Sequence, residues 1–345
     1  MLICALFRRI WLLYGAGALL WNAAAATGQV VAEAPLSQLF LREPLAHTFS
    51  VVARDSASGE MGVAVQSHWF SVGTVVSWAE AGVGVVATQS FVNKSFGPRG
   101  LALMRSGLSA REALDSLLKN DPGRAVRQVA LLDAQGRVAV HTGEGCIAYA
   151  CDAAGAQYSV QANMMLGPDV CSAMQQAWET SQGKSLAERL LCVLEAAQAA
   201  GGDFRGQQSA ALLVVRGQRT NTPWDDRLID LRVDDHPTPV AELRRLYTVH
   251  LAYEHMNRGD YYMEKGDMRS AMREYSEARR LLPQQVELQF WTALTLANVG
   301  QMDAALPIFA DVFHQAPIWK IALPRLRAAG IITVSAADME RILRQ

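Results

Sequence analysis

Two short apolar runs, residues 48–53 and 61–66, flank the polar stretch Asp55-Ser56-Ala57-Ser58-Gly59. Valine and small apolar residues dominate both runs. The stretch between them supplies side chains, or a missing Cβ, that permit a reversal, so the pattern predicts a β-hairpin. Both runs are too apolar for a sheet with one wet face. Near-continuous apolar strands are expected where both faces are covered, which puts the hairpin inside a layered domain. Residues 75–78 and 83–89, joined through Glu80-Ala81-Gly82, predict two further strands.

Helical spacing first appears over residues 97–105 and 109–118. The second segment opens on Ser109-Ala110-Arg111-Glu112, a capping box in which Ser and Glu satisfy orphan backbone donors reciprocally. Residues 126–133 and 137–141 predict a second hairpin about Ala134-Gln135-Gly136, and residues 158–162 another strand. Two helices follow at 170–180 and 186–199, stopped by Ala199-Ala200-Gly201-Gly202. Residues 209–214 and 228–233 return to strand composition. Blocks of strands separated by pairs of helices do not fit strict βαβ alternation. They predict an α+β domain in which two sheets stack between helical layers.

From Pro237 the pattern becomes one of long amphipathic helices with an internal period of about 34 residues. Gly259, Tyr262, Ala271, Tyr275, Ala278 and Pro283 fall over Ala293, Leu296, Ala305, Phe309, Val312 and Pro317, and Gly266 falls over Gly300 at the turn between helices. This region resembles two tetratricopeptide repeats. Small residues let paired helices approach, aromatics fill the space between neighbours, and proline ends each unit. Two repeats seldom bury enough surface alone, so segments at 240–253 and within 321–343 are expected to cap them, or the module to dock on the first domain. Such a module would hold a protein or peptide partner.

The extreme N-terminus adds a compartment. Arg8-Arg9 precede an apolar run from Ile10 to Leu20, followed by Ala23-Ala24-Ala25-Ala26, the layout of a secretory signal peptide. The domains expected are therefore a signal peptide over 1–26, a linker or propeptide over 27–47, a sandwich over 48–236 and a helical domain over 237–345. Export to the periplasm or beyond leaves Cys146, Cys151, Cys171 and Cys192 in an oxidising place. Cys146 and Cys151 are close enough to bridge a small loop, but four cysteines allow three full connectivities and buried free thiols fit equally well.

Charge excludes one class of partner. With 32 Lys and Arg against 33 Asp and Glu there is no global basic field for nucleic acid or an anionic membrane surface. No CxxC pair or HExxH helix suggests a metal site, and Gly82-Val83-Gly84 lacks the third glycine of a dinucleotide fingerprint. No cofactor, no nucleic acid and no membrane partner after signal cleavage are expected; a homo-oligomer is left open.

Thr48-Phe-Ser-Val-Val-Ala-Arg-Asp55, Gly62-Val-Ala-Val-Gln-Ser-His-Trp-Phe-Ser-Val-Gly73 and Ala81-Gly-Val-Gly-Val-Val-Ala-Thr-Gln89 closely resemble the opening of an uncharacterised bacterial family assigned to the Ntn-hydrolase superfamily. Phe96-Gly-Pro-Arg-Gly100, Arg127-Gln-Val-Ala130, His141-Thr-Gly143, Val160-Gln-Ala-Asn163, Gly201-Gly-Asp-Phe-Arg-Gly206 and Leu231-Arg-Val-Asp-Asp-His236 resemble its later signatures, in the same order. The resemblance implies an αββα sandwich over roughly 48–236 and makes Thr48 the candidate nucleophile. An N-terminal threonine combines a hydroxyl with an α-amine of ordinary pKa about 8, so one residue supplies nucleophile and base. That amine exists only after a cut at His47-Thr48.

The amide of Gln66 or Asn163 is a candidate oxyanion donor, although structural polar residues at strand ends fit equally well, and Asp203 is a candidate to orient the amine or pair with Arg205, against the commoner reading of a surface turn with a weak ion pair. His68, beside Trp69 and Phe70, is better read as a hydrogen-bonded structural histidine, and Arg99 as part of a helix-entry turn. The expectation is an exported amidohydrolase that cleaves an amide bond through Thr48. The alternative is a noncatalytic secreted scaffold in which Thr48 merely begins the first strand.

Overall fold

The computed structural model describes residues 45–345. The expected signal peptide, residues 27–44 of the linker, and Cys4 lie outside the described residues.

Strands β2 (Thr48–Arg54) and β3 (Met61–Ser67) form the hairpin, with Thr48 opposite Ser67 and Arg54 opposite Met61. Asp55 fixes its turn, accepting through Oδ1 from the Ala57 and Ser58 amides at 2.8 and 2.7 Å. This hairpin is the centre of a six-stranded sheet ordered β11-β10-β3-β2-β9-β8, where β8 is Cys151–Gly155, β9 Tyr158–Ala162, β10 Ser209–Val215 and β11 Arg227–Val233. In the second sheet β5 (Gly84–Phe91) pairs with β6 (Arg127–Asp133), which pairs with β7 (Val138–Thr142). The opposite edge of β5 is shared: β4 (Ser77–Glu80) takes its first half and β1 (Leu45–Ala46) its end. All these pairings are antiparallel.

The burial pattern orders the layers. Val52, Val63, Val65, Val85, Ala87, Ala130, Leu132 and Leu213 form an apolar cluster between the sheets. The alternate residues Phe49, Val51, Ala64, Val160 and Leu212 turn the other way, onto α3 (Val170–Thr180) and α4 (Leu186–Ala199). On the outer face of the second sheet Val86, Val129 and Leu131 meet α1 (Phe96–Arg105) and α2 (Ala110–Leu118). The molecule thus stacks helix pair, sheet, sheet, helix pair, and the period-2 alternation decides which core each strand residue enters. The capping box forms as the sequence implies, with Ser109 and Glu112 exchanging both bonds.

Six helices follow: α5 (Pro239–Glu264), α6 (Met268–Leu281), α7 (Val286–Asn298), α8 (Met302–Gln315), α9 (Ile318–Ala328) and α10 (Ala336–Leu343). The cap expected over 240–253 and the first helix of the repeat are one continuous helix of 26 residues, because no cap or proline separates them. Its first turns belong to the sandwich, with Val240, Leu243 and Tyr247 buried in the same cluster as α3 and α4. Arg244 adds ion pairs from α5 to Glu188 and Glu195 of α4 at 2.5 and 2.8 Å. Gly266 and Gly300 both take positive φ, +75° and +81°, at the two inter-helix turns where the repeat alignment superposes them. At the far end Leu323 and Ile342 enter the cluster of Phe290, Ala293 and Phe309, so α9 and α10 close it.

Cys151 of β8 is disulfide-bonded to Cys171 of α3, with Cα atoms 6.2 Å apart. The Cys146–Cys151 bridge considered from their proximity does not form, and Cys146 and Cys192 carry free thiols. Sequence nearness loses here because β9 returns the chain and sets α3 beside the edge strand.

Candidate functional site

The chain changes sheets at residue 47. Ala46 pairs with Ser90 in one sheet and Thr48 with Ser67 in the other, so His47 spans the gap and is 1% exposed. Thr48 is fully buried, and its Oγ1 donates to the Ala46 carbonyl at 2.7 Å. Thr48, Ser50 and Val52 share the face of β2 that looks into the space between the sheets, since Val52 lies in that core.

The peptide joining His47 to Thr48 is held on all sides. The His47 carbonyl accepts from Ser67 Oγ at 2.5 Å and from Arg205 Nη2 at 3.0 Å. Arg205 is itself fixed by Asp203, whose carboxylate takes Nη2 at 2.7 Å and Nε at 3.1 Å. The Thr48 carbonyl accepts from the Asn163 main-chain N–H at 3.1 Å and from Gln89 Nε2 at 3.3 Å. A carbonyl facing a hydroxyl and a guanidinium is polarised in the way an acyl-transfer site polarises its electrophile.

Behind this peptide runs a buried chain of amides. Gln89 Nε2 donates to Gln128 Oε1 at 2.7 Å and Asn163 Nδ2 donates to the same oxygen at 2.9 Å. Gln128 passes its own donors to Thr142 Oγ1 and the Ala162 carbonyl, each at 2.9 Å. Because Asn163 spends Nδ2 on Gln128, its Oδ1 is the acceptor at 2.6 Å from His47 Nδ1, and the imidazole proton sits on Nδ1. His47 Nε2 is buried without a hydrogen-bond partner. Burial pushes the imidazole pKa down, against the Asn163 bond that favours the charged form.

Among the residues expected at the site, the fold brings Thr48 and Asn163 together and joins Asp203 to them through Arg205. Gln66 goes elsewhere. It follows Val65 in β3 and therefore points to the opposite face, among the residues that meet α3 and α4, where both of its amide atoms are buried and unpartnered. The residue opposite Thr48 is Ser67, one step along. His68 offers its main-chain amide to Asp203 Oδ2 at 3.4 Å, and Arg99 stacks over Phe96 at 5.9 Å on α1. Sequence reasoning missed Ser67, His47, Gln89 and Gln128, although polar residues inside otherwise apolar strands were the available signal. Among the described residues no three His, Cys, Asp or Glu side chains gather as a metal site requires, and no helix is long and apolar enough to cross a membrane.

Apart from Ala46 and His47, the residues that build this junction lie inside a matched family: a model described as a family of unknown function, DUF1028, covers residues 48–243. The chain belongs to the DUF1028 family. It is also similar to the crystal structure of protein SPO2555 from Silicibacter pomeroyi, likewise assigned to DUF1028, at 30% identity and a TM-score of 0.53. The similarity covers 59% of this chain and 85% of the other. No curated protein matches. The DUF1028 match ends at residue 243, within α5, so it takes in the sandwich from β2 onward and the first helical turns that pack on it.

Proposed function

We propose that this DUF1028 protein is the precursor of an exported N-terminal-nucleophile amidohydrolase whose nucleophile is Thr48. The observation that carries the reading is the grip of Ser67 Oγ and Arg205 Nη2 on the carbonyl immediately before Thr48. In the uncleaved chain that carbonyl occupies the place a substrate's acyl carbon needs. Attack by Thr48 Oγ1 on it forms an oxyanion facing those two donors. The C–N bond then breaks, the Thr48 nitrogen keeps its own proton and takes the one given up by Oγ1 to become the α-amine, and the His47 acyl group stays on Oγ1 as an ester. Water hydrolyses the ester, leaving a His47 carboxylate and a free Thr48.

The freed threonine then treats a substrate amide as it treated its own. Its amine takes the hydroxyl proton and passes it to the leaving amine as the substrate C–N bond breaks, the same two donors hold the oxyanion, and water hydrolyses the ester on Oγ1 to release the acid and restore Thr48. Asn163 acts as a positioning residue for residues 47 and 48, and Asp203 for Arg205. The order of helix and sheet layers supports kinship with the Ntn-hydrolase sandwich. The matched glycines at the two helical turns support two tetratricopeptide-like repeats, which recruit a protein or peptide partner. The Cys151–Cys171 disulfide supports export, because such bonds persist in oxidising compartments.

Intact mass and N-terminal sequencing of the protein from its native exported fraction test the reading. A terminus at Thr48, abolished in a folded Thr48→Ala variant, is the expected result. A single terminus near residue 26 with the His47-Thr48 bond intact would leave a noncatalytic scaffold as the function.

A further inference from the structure

A cavity of about 500 Å³ opens at the end of the β2 strand away from Thr48. It lies six residues beyond Thr48, roughly 20 Å along the strand, and is independent of the hydrolase reading. Arg54 and Arg189 both line it, together with Asp55, Glu179, Lys184 and the Tyr158–Trp178 pair.

The two arginines are held in place but are largely unspent. Arg189 lies over the Trp178 ring at 3.4 Å and gives Nη2 to the Trp178 carbonyl at 2.9 Å. Arg54 gives Nη1 to Gln157 Oε1 at 2.5 Å. Both acceptors are neutral, and the Nε of each arginine is buried with no acceptor. Among the described residues no carboxylate oxygen comes within 4.0 Å of either guanidinium. Partly buried guanidiniums with no carboxylate in direct contact are costly, even with Asp55 acting on Arg189 from farther off, and a pair of them in one cavity is a place for an anion to be gained.

The two carboxylates of the cavity are already committed. Asp55 caps the hairpin turn, and Glu179 Oε1 accepts from Tyr158 Oη at 3.3 Å and Gln175 Nε2 at 3.1 Å. The lining sets Arg54, Lys184 and Arg189 against Asp55 and Glu179, and Lys184 is also paired with Glu188 at 3.9 Å, so the positive charge in excess is small. That balance suits a single carboxylate better than a phosphate dianion, and the planar guanidinium fork matches carboxylate geometry. Trp178 is covered by Arg189 on one side and stacked with Tyr158 on the other, so the ring faces are not free to hold an apolar ligand.

We infer that this cavity is a binding site for a small polar monocarboxylic acid, whose carboxylate is taken up by Arg54 and Arg189. The test is calorimetric titration of the full chain with lactate, with lactamide as its neutral isostere and inorganic phosphate as the competing anion. Saturable binding of lactate is expected, with none of lactamide, and Arg54→Gln and Arg189→Gln each weaken it at least about tenfold, or about 1.4 kcal/mol. Absence of lactate saturation, equal binding of lactamide, or unchanged affinity in both folded variants would overturn the assignment. Tighter binding of phosphate than of lactate would overturn the monocarboxylate class. The lactate and lactamide comparison uses the wild-type chain, so it decides the matter even where a variant does not fold.

Discussion

Ser67 stands opposite Thr48 across the β2–β3 pair, and its hydroxyl donates to the carbonyl of the residue before that threonine, 2.5 Å away. The next residue back, Gln66, is on the other face of the same strand. A one-residue step in a strand moves a side chain through the sheet, so neighbours in sequence have unrelated chances of reaching the same carbonyl.

Ser67→Ala is therefore expected to slow release of the Thr48 terminus by about two orders of magnitude, the usual loss for one oxyanion donor. Gln66→Met, which replaces an unpartnered buried amide on the helix face, is expected to leave the rate unchanged. Time-resolved intact mass distinguishes them. Equal effects of the two substitutions would mean that Ser67 acts only through packing.

Asp203 and Arg205 give a stability prediction. The Asp203 side chain is fully buried and the Arg205 side chain 22% exposed, with a 2.7 Å contact between them. Asp203→Asn removes the partner of a mostly buried guanidinium and is expected to cost about 3 kcal/mol in denaturant unfolding. Adding Arg205→Gln removes the orphaned charge, so the double variant should lose less than the sum of the singles. Strict additivity would show that the pair is not coupled.

Much of the fold was legible because its signals are local. The hairpin runs, the Ser109–Glu112 box and the helices at 170–180 and 186–199 each carry their own periodicity or cap. β8 was not legible: Cys-Asp-Ala-Ala-Gly has no β-branched or aromatic residue, and the strand exists because β9 offers it an edge. Nor was β1, whose two residues are a strand only by pairing with Ser90 and Phe91. At the site, Thr48 came from resemblance and Asn163 from its place at the end of a strand, whereas Ser67 required the hairpin register. Arg205 required a loop to fold back over 158 positions of chain to His47.

His47 makes stability depend on pH. Its imidazole is held below the ordinary value of 6.5, chiefly by burial, so the unfolded chain binds a proton more readily than the native one. The contribution is intact above pH 6.5 and is lost as pH falls from there through the lower native value. Unfolding free energy of the unprocessed chain should decline between pH 7.5 and 5.5, and less steeply in His47→Gln. Identical slopes would remove His47 as the source.

The disulfide joins residues 20 apart in sequence, and chain entropy gives such a link about 3 kcal/mol. Cys151→Ser should lower stability by that order, while Cys192→Ser should not. Alkylation of the native protein is expected at Cys146 and Cys192 and not at Cys151 or Cys171 among the described residues. Cys146 should react slowly, because burial pushes its thiol pKa up and leaves little thiolate at neutral pH.

Gly259 tests the helical region through a conflict between propensity and packing. It lies inside α5, where alanine would favour the helix by up to about 1 kcal/mol. A Cβ there would stand 2.3 Å from Cε1 of Tyr275, a ring that is 1% exposed and tied by its hydroxyl to Asp260 at 2.7 Å. The ring has no free space to yield, and overpacking of this kind costs about 1–3 kcal/mol. Packing should win, so Gly259→Ala lowers the melting temperature. The position superposed on it in the second repeat is Ala293, fully buried in the cluster that contains Phe309, where a Cβ is already accommodated. Ala293→Gly should therefore destabilise as well, by lost packing and lost propensity together. Combining Gly259→Ala with Tyr275→Leu, which withdraws the ring, should recover part of the loss. A rise in melting temperature for Gly259→Ala alone would show that the α5–α6 contact is looser than this close approach implies.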